Sequence, residues 1–479
     1  MKRFITLLIV VFTAFSFTRA ADIIVTSFLD SGDGTFRDAV ANAQSGDVIK
    51  FNIAAPVDMI SFDTGISISG AGKILTIDGM NMATGKPMKL TIQSGSRLFS
   101  IANGAGSDGL DVTIKNFIIQ DVQSTNSGGV ISSGSSAYTA AGAFKVTIEN
   151  CYFKNCTTTI SSSSSSGGGG VYYVSHGSDI TVINCTFEGN KLLYSDGTEN
   201  ATPSIGGGAF GSTGNGTARL ALINSTFIDN ASSGRGGALF LGHPTNIINC
   251  TFANNTAPRG GGIYLHNTGD NYHNIVNTIV INNVSKTNNT DRGDIDRNSN
   301  NGTNPVTVSY SLFELTNLTA DIGLGAGNIT YVASTKVFKD GTLADNGGPT
   351  PTIALASNSD VLKAGTATSA GLNIPTTDQR GAPRLSPPSM GAYDNPDYVF
   401  TGMPEVNIQA LSVWGDGKQI KMYSETQGWA AVYDLKGSLV DKSYVNGLSN
   451  LATVKSAGVY LVRFVGNSGN TSSAKVVVR

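Results

Sequence analysis

The stretch Ile180-Thr-Val-Ile-Asn184-Cys185-Thr-Phe187 is a short alternating apolar run followed at once by an asparagine, a small residue and a phenylalanine. The alternation is typical of a strand with one buried face. Variants of the stretch recur at 112–117, 146–153, 220–227, 246–252 and 274–280. One copy cannot bury its apolar face, whereas stacked copies can, through parallel strands about 4.8 Å apart. The repeat therefore predicts a solenoid.

Two rows of asparagines accompany the repeat, and we expect each row to form a ladder of side-chain hydrogen bonds at a corner of the stack. Asparagine tolerates the left-handed backbone of a tight corner, and its amide both donates and accepts. The first row is Asn150, Asn184, Asn224, Asn249 and Asn277. The second row, six residues later, is Asn190, Asn230, Asn255 and Asn283.

Glycine clusters separate the copies and permit tight corners at which a Cβ would clash. They lie at 128–129, 167–170, 206–208, 236–237 and 260–262. The uneven spacing of the copies indicates loops inserted at one corner. A β-sandwich or a β-propeller is the alternative, but propeller repeats are more regular.

The first 20 residues indicate export. Lys2 and Arg3 precede an apolar run at 5–15, and Ala20 stands before Ala21 at the expected cleavage site of a signal peptide. This run is too short to span about 30 Å of lipid comfortably, and we expect no transmembrane helix in the mature chain. Removing residues 1–20 leaves 29 basic and 34 acidic residues, a net charge of −5. That balance argues against a nucleic-acid partner and against a polybasic membrane-surface protein.

The four cysteines point to packing rather than to redox or metal chemistry. Cys151, Cys185 and Cys250 occupy one position of the repeat, which favours free buried thiols, and Cys156 is the fourth. The chain has no Cys-x-x-Cys or Cys/His metal spacing. We therefore expect no cofactor and no metal.

These repeats resemble the right-handed parallel β-helix repeats of polymorphic outer-membrane and adhesin-type proteins. Residues 25–51 resemble the amino-terminal caps of such proteins, with a short helix from about Thr35 to Ala43 that Thr35 could cap. We expect the N-terminal cap and first coils at 21–75 and the β-helix at 76–340.

Residues 345–352, 364–365, 378–381 and 391–393 resemble the choice-of-anchor Q segment. The resemblance implies that 341–400 closes the β-helix and precedes a tail used for export or anchoring. Eight of the 14 prolines fall between Pro349 and Pro404, which marks a change in composition here.

Residues 401–479 resemble the type A C-terminal sorting domain of type IX secretion. The motif residues are Tyr433, Asp434, Gly437, Gly458, Tyr460, Lys475, Val476, Val477, Val478 and Arg479. The resemblance implies contact with the type IX secretion machinery and a cell-surface or extracellular location. The alternative is an ordinary immunoglobulin-like accessory domain. The expected fold class is thus all-β, a right-handed parallel β-helix followed by a small C-terminal β-sandwich.

Candidate catalytic residues are sparse. Glu188 and Asp229 follow the Phe of adjacent repeats, and we interpret them as solvated surface. Asp291, Asp294 and Asp296 cluster with Arg292 and Arg297, and a loop with local charge pairs is favoured over a metal or catalytic site. No pair of carboxylates forms a glycosidase motif, so no catalytic residue is assigned.

Five tyrosines in the helix region could form a sugar-binding patch, although a structural role is favoured for them. They are Tyr172, Tyr173, Tyr194, Tyr264 and Tyr272. The preferred hypothesis is an exported, non-catalytic adhesin or glycan-contacting solenoid whose partner is a polysaccharide or a host-surface ligand. The alternative is a polysaccharide lyase or glycoside hydrolase of β-helix type.

Overall fold

The chain folds into two compact units, Met1–Tyr398 and Val399–Arg479, in a computed structural model. The structure describes residues 20–104, 106–135, 143–162, 167–200, 205–213, 218–266, 272–286, 293–297, 306–314, 322–332, 334–396, 412–416, 418–466 and 471–478. The residues of the predicted signal peptide before Ala20 and the final Arg479 lie outside these described residues.

The first unit is built almost entirely of short strands. It begins with β1 (Asp22–Val25), α1 (Phe36–Asn42), β2 (Val48–Phe51), β3 (Met59–Phe62), β4 (Ile66–Ile68), β5 (Ile74–Asn81), β6 (Lys86–Ile92) and β7 (Phe99–Ile101). It continues with β8 (Asp111–Lys115), β9 (Phe117–Gln120), β10 (Gln123–Ser124), β11 (Ile131–Ser133), β12 (Phe144–Glu149), β13 (Tyr152–Lys154), β14 (Thr157–Ile160), β15 (Tyr172–Val174), β16 (Ser178–Ile183), β17 (Thr186–Glu188) and β18 (Lys191–Tyr194).

The later coils repeat the same order of strands. They contain β19 (Phe210–Ser212), β20 (Arg219–Ile223), β21 (Thr226–Ile228), β22 (Ala231–Ser232), β23 (Leu239–Leu241), β24 (Thr245–Ile248), β25 (Thr251–Ala253), β26 (Thr256–Ala257), β27 (Ile263–Leu265), β28 (His273–Val276), β29 (Ile279–Ile281), β30 (Val284–Ser285) and β31 (Ile295–Arg297). The unit ends with β32 (Val306–Ser309), β33 (Leu312–Phe313), β34 (Gly323–Leu324), β35 (Ile329–Thr330), β36 (Phe338–Ala344) and β37 (Thr352–Leu355).

Each complete coil passes through four faces, which we name A to D in chain order. Face A consists of β1, β2, β5, β8, β12, β16, β20, β24, β28, β32 and β34, and face B of β3, β6, β9, β13, β17, β21, β25, β29, β33 and β35; together they form one 21-stranded sheet. Face C is the six-stranded sheet β10, β14, β18, β22, β26 and β30, and face D is the eight-stranded sheet β4, β7, β11, β15, β19, β23, β27 and β31. Strands of successive coils pair in parallel and in register, as at Val146, Ile180 and Leu220.

Identical side chains stack inside the coils. Phe153, Phe187, Phe227 and Phe252 occupy one inward row of face B, with ring centroids 4.7, 4.7 and 4.6 Å apart and nearly parallel planes. This spacing is the distance between hydrogen-bonded strands, so the repeat of the sequence becomes a repeat of the core. The parallel β-helix predicted from the repeat is confirmed.

Helix α1 covers the first coils. Thr35 caps it as expected, because its hydroxyl accepts a hydrogen bond from the Asp38 backbone N–H at 3.2 Å. The buried Phe36 ring packs edge-on against Phe51, Phe62 and Phe99 at 5.2 to 6.1 Å. The helix thereby buries an end of the stack that would otherwise expose apolar side chains to water.

Residues 334–396 lie along the side of the later coils. Ile353 packs with Ile228 and Ala253, which point outward from face B. Ile374 packs with Ile248 and Val276, which point outward from face A. We call this stretch the lateral segment, because its described contacts run along the corner between faces A and B.

The second unit is a five-stranded antiparallel structure of β38 (Ser412–Asp416), β39 (Gln419–Tyr433), β40 (Leu439–Thr453), β41 (Gly458–Gly466) and β42 (Thr471–Val478). Its core includes Ile420, Val432, Val445, Val462 and Val476. The expected fold class, an all-β right-handed parallel β-helix followed by a small C-terminal β-sandwich, is confirmed. Across the described parts of both units, no helix has the length and apolar character needed to cross a membrane.

Candidate functional site

The first asparagine row lies at the corner between faces A and B. All five residues have left-handed backbones, with φ between +46° and +56°. The amides donate toward the preceding coil, from Asn277 to Asn249 (3.0 Å), Asn249 to Asn224 (3.2 Å), Asn224 to Asn184 (3.3 Å), Asn150 to Asn116 (3.2 Å) and Asn116 to Asp78 (2.8 Å). The row ends on a carboxylate, which only accepts.

The second row lies at the corner between faces B and C, and its direction is reversed. The amides donate toward the following coil, from Asn190 to Asn230 (3.0 Å), Asn230 to Asn255 (2.9 Å), Asn255 to Asn283 (2.9 Å) and Asn283 to Asp294 (2.9 Å). Left-handed backbone falls one residue earlier, on Asn155, Gly189, Asp229, Asn254 and Asn282. Both rows satisfy buried backbone and side-chain groups, which is a structural task, although the first row is interrupted at Asn150, whose Oδ1 is buried without a hydrogen-bond partner among the described residues.

The expected charged loop around Asp294 is wrong. Asp294, Asp296 and Arg297 are buried, and the last two belong to β31. Asp294 ends the second asparagine row, and burial raises its pKa to about 7. Asp296 forms an ion pair with Arg259, 37 residues earlier in the chain. The other two members of the cluster, Asp291 and Arg292, lie outside the described residues.

The outward side of face D carries a group of aromatic, cationic and acidic side chains from successive coils. Phe240, Tyr264 and Asp296 are register partners on three successive strands, and all three are buried. The Phe240 and Tyr264 rings are parallel, with centroids 5.6 Å apart. Consecutive outward positions of one face thus form a continuous row.

Two arginines cover the tyrosine of this row. Arg235 and Arg259 are bridge partners on adjacent coils, and their guanidinium carbons lie 4.9 and 5.4 Å from the Tyr264 ring centroid. Arg259 also binds Asp296 through two bonds, Nε–Oδ2 at 2.8 Å and Nη2–Oδ1 at 3.1 Å. The carboxylate holds one guanidinium in a fixed plane beside the ring, which is the geometry in which arginine recognises planar polar groups.

A neutral imidazole completes the group, which we call the face D cluster: Arg235, Phe240, Arg259, Tyr264, His266 and Asp296. The His266 ring stacks on Phe240 with centroids 5.1 Å apart. Burial, with the nearby Arg235 charge, lowers the pKa of His266 to about 4, so it is neutral at neutral pH. The rings of Phe240 and Tyr264 and the Asp296 carboxylate are buried, whereas Arg235, Arg259 and His266 are half-buried, so the guanidinium groups and the imidazole are the part of the cluster that reaches solvent.

Sequence reasoning missed both arginines, although a signal was present. Arg-Gly-Gly occurs at 235–237 and again at 259–261, at the same place in consecutive repeats. Since equivalent positions stack, the motif places two guanidinium groups on neighbouring coils.

The five candidate tyrosines do not form one patch. Tyr172 points into the core, where its hydroxyl donates to Ser133, and Tyr194 is buried in a small cluster beside face C. Tyr173 and Tyr264 point outward from face D, and the Tyr173 hydroxyl lies 2.6 Å from Thr213 Oγ1. Tyr272 is exposed elsewhere.

Asp229 is exposed, in agreement with its interpretation as solvated surface, whereas Glu188 is half-buried. Glu188 accepts from the Tyr152 hydroxyl and pairs with Lys154 at 3.3 Å. Burial, opposed by a hydrogen bond from Asn254 and reinforced by the Glu188 charge, raises the pKa of Asp229. Each carboxylate has local partners that account for its position.

The residues of the predicted sorting motif lie on strands and in a turn of the second unit. Tyr433 ends β39, and the Asp434 carboxylate accepts from the backbone N–H groups of Lys436 and Ser438, both at 2.9 Å, in the turn that contains Gly437. Gly458 and Tyr460 lie on β41, and Lys475, Val476, Val477 and Val478 lie on β42, which pairs with β41. Arg479 is outside the described residues.

At the other end of the chain, Ala20 and Ala21 are exposed and immediately precede β1. The Ala21 backbone nitrogen lies 2.9 Å from Asp47 Oδ1. Within the described residues, no group of three or more His, Cys, Asp or Glu side chains could hold a metal ion. No known protein family and no curated protein matches the chain in sequence.

Proposed function

We propose that this chain is an exported, non-catalytic β-helix protein that contacts glycans through the outward side of face D. The observation that carries the proposal is the position of Arg235 and Arg259 over the Tyr264 ring on adjacent coils. The buried Tyr264 ring holds the two half-buried guanidinium groups in place. Sugar sites in proteins use a few such placed polar groups to fix the orientation of the ligand. Guanidinium forks bind hydroxyl and carboxylate oxygens in pairs.

The repetition of the fold supports a polymeric partner. Outward positions of face D recur with each coil, about 4.8 Å apart, so contacts can be repeated along an extended chain. The lateral segment covers faces A and B in its described contacts, on residues such as Ile228 and Val276. Face D is therefore the better candidate for an adhesive surface.

The proposed route of export is type IX secretion, with the second unit as the signal read by the machinery. The support is the order of the motifs in sequence, from Tyr433 to Lys475, on a compact separate unit. Under this proposal the mature protein is on the cell surface or released. Deleting residues 401–479 should leave the protein inside the outer membrane, and normal surface delivery of the truncated chain would contradict the proposal.

The glycan proposal is tested with the purified protein on a panel of neutral and acidic polysaccharides, reading both retention and the appearance of new reducing or unsaturated ends. We expect retention without new ends, and an at least tenfold weaker retention for Arg235→Gln and Arg259→Gln. Arg219→Gln is the matched control, because Arg219 is exposed on face A. Release of products would favour the lyase or hydrolase alternative and overturn the non-catalytic role.

A further inference from the structure

One side of the second unit carries a regular array of nine side chains from three adjacent strands. Trp429, Ala431 and Tyr433 alternate along the outward side of β39. Their partners on β40 and β41 complete three rows, which are Tyr444–Trp429–Val465, Lys442–Ala431–Arg463 and Leu439–Tyr433–Leu461. The rows are about 6.6 Å apart because they lie two residues apart along the strands. We call these nine residues the outer array.

The outer array is exposed, although most of it is apolar. Leu439 exposes 57%, Trp429 48% and Leu461 45% of its surface, and Tyr444 and Val465 are also exposed. Leu435 and Val440, in and beside the turn next to the third row, add two more exposed apolar side chains. The alternate residues of the same strands, such as Val432 and Val462, form the buried core. A contiguous apolar surface of this kind marks an interaction site.

The charges within the array have one sign. The middle row holds Lys442 and Arg463, both exposed, with Ala431 between them, and none of the nine positions is acidic. The Lys442 ammonium lies 4.9 Å from the Trp429 ring centroid. Residues 401–479 contain eight Lys or Arg and five Asp or Glu, a charge of +3, whereas the mature chain carries −5. The second unit is thus the basic part of an acidic chain.

We infer that the outer array docks the second unit on an anionic lipid bilayer. Leucine and valine side chains enter the boundary of the acyl region, while tryptophan and tyrosine favour the headgroup level because one end of each ring is apolar and the other polar. Lysine and arginine beside them extend to the lipid phosphates. A protein partner would need a matching acidic stripe between two apolar ribbons, whereas an anionic bilayer supplies both chemistries over its whole surface.

The test is flotation of the purified protein with vesicles of neutral phosphatidylcholine alone or with about 30% phosphatidylglycerol. We expect binding to the anionic vesicles, at least tenfold weaker binding to the neutral ones, and a decline as salt is raised, since each basic residue near the surface contributes to the attraction. In a Trp414→Phe background, Trp429 fluorescence should shift to the blue on binding.

Two variants and one control assign the binding to the outer array. Lys442→Gln with Arg463→Gln should weaken anionic-vesicle binding about tenfold or more, and Leu439→Ser with Leu461→Ser should abolish the fluorescence shift. Ile74→Ser is the control, because Ile74 is an exposed apolar residue of the first unit. Equal binding by all variants, no binding at low salt, or concentration-dependent dimerisation lost in the leucine variant would each overturn the inference.

Discussion

Arg384 Nη2 donates to Asn224 Oδ1 at 2.8 Å, which joins the lateral segment to the first asparagine row. The same oxygen accepts from Asn249 at 3.2 Å, and Asn224 Nδ2 donates to the carbonyl oxygen of Thr377 at 3.0 Å. Arg384 is also paired with the buried Asp394 at 3.4 Å. The lateral segment therefore adds hydrogen bonds to the side chain of Asn224, beyond those that the stacked coils make with one another.

Replacing Arg384 by glutamine should lower the free energy of unfolding of the first unit by about 3 to 5 kcal/mol, because it leaves the buried Asp394 carboxylate without its cation. Urea unfolding followed by circular dichroism measures the loss. Arg219→Gln is the control, since Arg219 is exposed and 3.9 Å from Asp179; it should cost less than about 0.5 kcal/mol. Equal losses in the two variants would show that the Arg384 contacts contribute nothing.

The sequence predicts the solenoid and one of its corners in residue detail. The first row, such as Asn184 and Asn249, has the left-handed backbone expected from the residue type. In the second row the left-handed residue precedes the ladder residue, as Asp229 precedes Asn230. The spacing of the residues cannot show which of two neighbours adopts the left-handed backbone and which forms the ladder, because Asp229 and Asn230 both tolerate the left-handed conformation.

The face D cluster was not predicted, and residues 341–400 were expected to close the β-helix, whereas the lateral segment packs along the outward sides of faces A and B. A signal for the segment exists in face B, whose outward residues change from Lys154 and Glu188 to Ile228, Ala253 and Ile281. Loss of polar alternation marks a strand that is covered on both sides. The cluster depends on contacts between coils, such as Arg259 with Asp296, 37 residues apart, which no local pattern specifies.

Asn255 represents the positions of the second row at which a substitution should lower the free energy of unfolding most. Its amide donates to Asn283 and to the Phe227 carbonyl oxygen, and its oxygen accepts from Asn230, all within 3.0 Å and all buried. Asn255→Ala leaves these buried partner groups without their hydrogen bonds, so we expect a loss of about 3 kcal/mol or more in the free energy of unfolding. Asn246→Ala is the matched control in the same coil, since Asn246 is half-buried and accepts one bond from Asn274. A loss no greater than that of the control would contradict the ladder.

Acid should destabilise the first unit before most carboxylates titrate. Burial lowers the pKa of His243 to about 4 and of His273 to about 3, from 6.5. When the protein unfolds below pH 6.5, each imidazole takes up a proton. The free energy of unfolding therefore decreases as the pH is lowered, by about 2 kcal/mol per histidine between pH 6.5 and 5. Urea midpoints at pH 7.5, 6 and 5 measure this slope.

The raised pKa of Asp294 acts in the opposite direction. The pKa of Asp294 is about 7 in the folded protein and 3.8 in the unfolded chain. Between these two values the folded protein holds the proton more tightly, so Asp294 adds to the free energy of unfolding as the pH is lowered and loses this contribution as the pH rises. His273→Gln should therefore flatten the acid slope, whereas Asp294→Asn should steepen it. A slope that neither variant changes would exclude these groups as its cause.

Gly237 is a position at which one methyl group should disrupt the stack. A Cβ there would lie 2.1 Å from the Gly261 carbonyl oxygen and 2.5 Å from the Thr256 backbone nitrogen, both of the next coil. Neither backbone atom can move without breaking the register, so Gly237→Ala should cost about 2 kcal/mol or more. Gly458→Ala is the control, because a Cβ there meets nothing closer than 3.8 Å. Thermal unfolding that is equally unaffected in both variants would show that the coils are not so closely packed.

Cys185 should be replaceable by serine but not by alanine. Its sulfur accepts from the Cys151 backbone N–H at 3.4 Å and donates to the Ile183 carbonyl oxygen at 3.2 Å, and Ser225 makes the equivalent bonds in the next coil. Cys185→Ser should thus change the free energy of unfolding by less than about 1 kcal/mol, whereas Cys185→Ala should lose about 1 to 3 kcal/mol by leaving a buried N–H unpaired.

All four thiols are free and buried, and burial raises the pKa of Cys156 and Cys250 to about 12. We therefore expect the native protein to resist thiol alkylation until urea unfolds it, and rapid alkylation of the folded chain would show that the coils open at this corner.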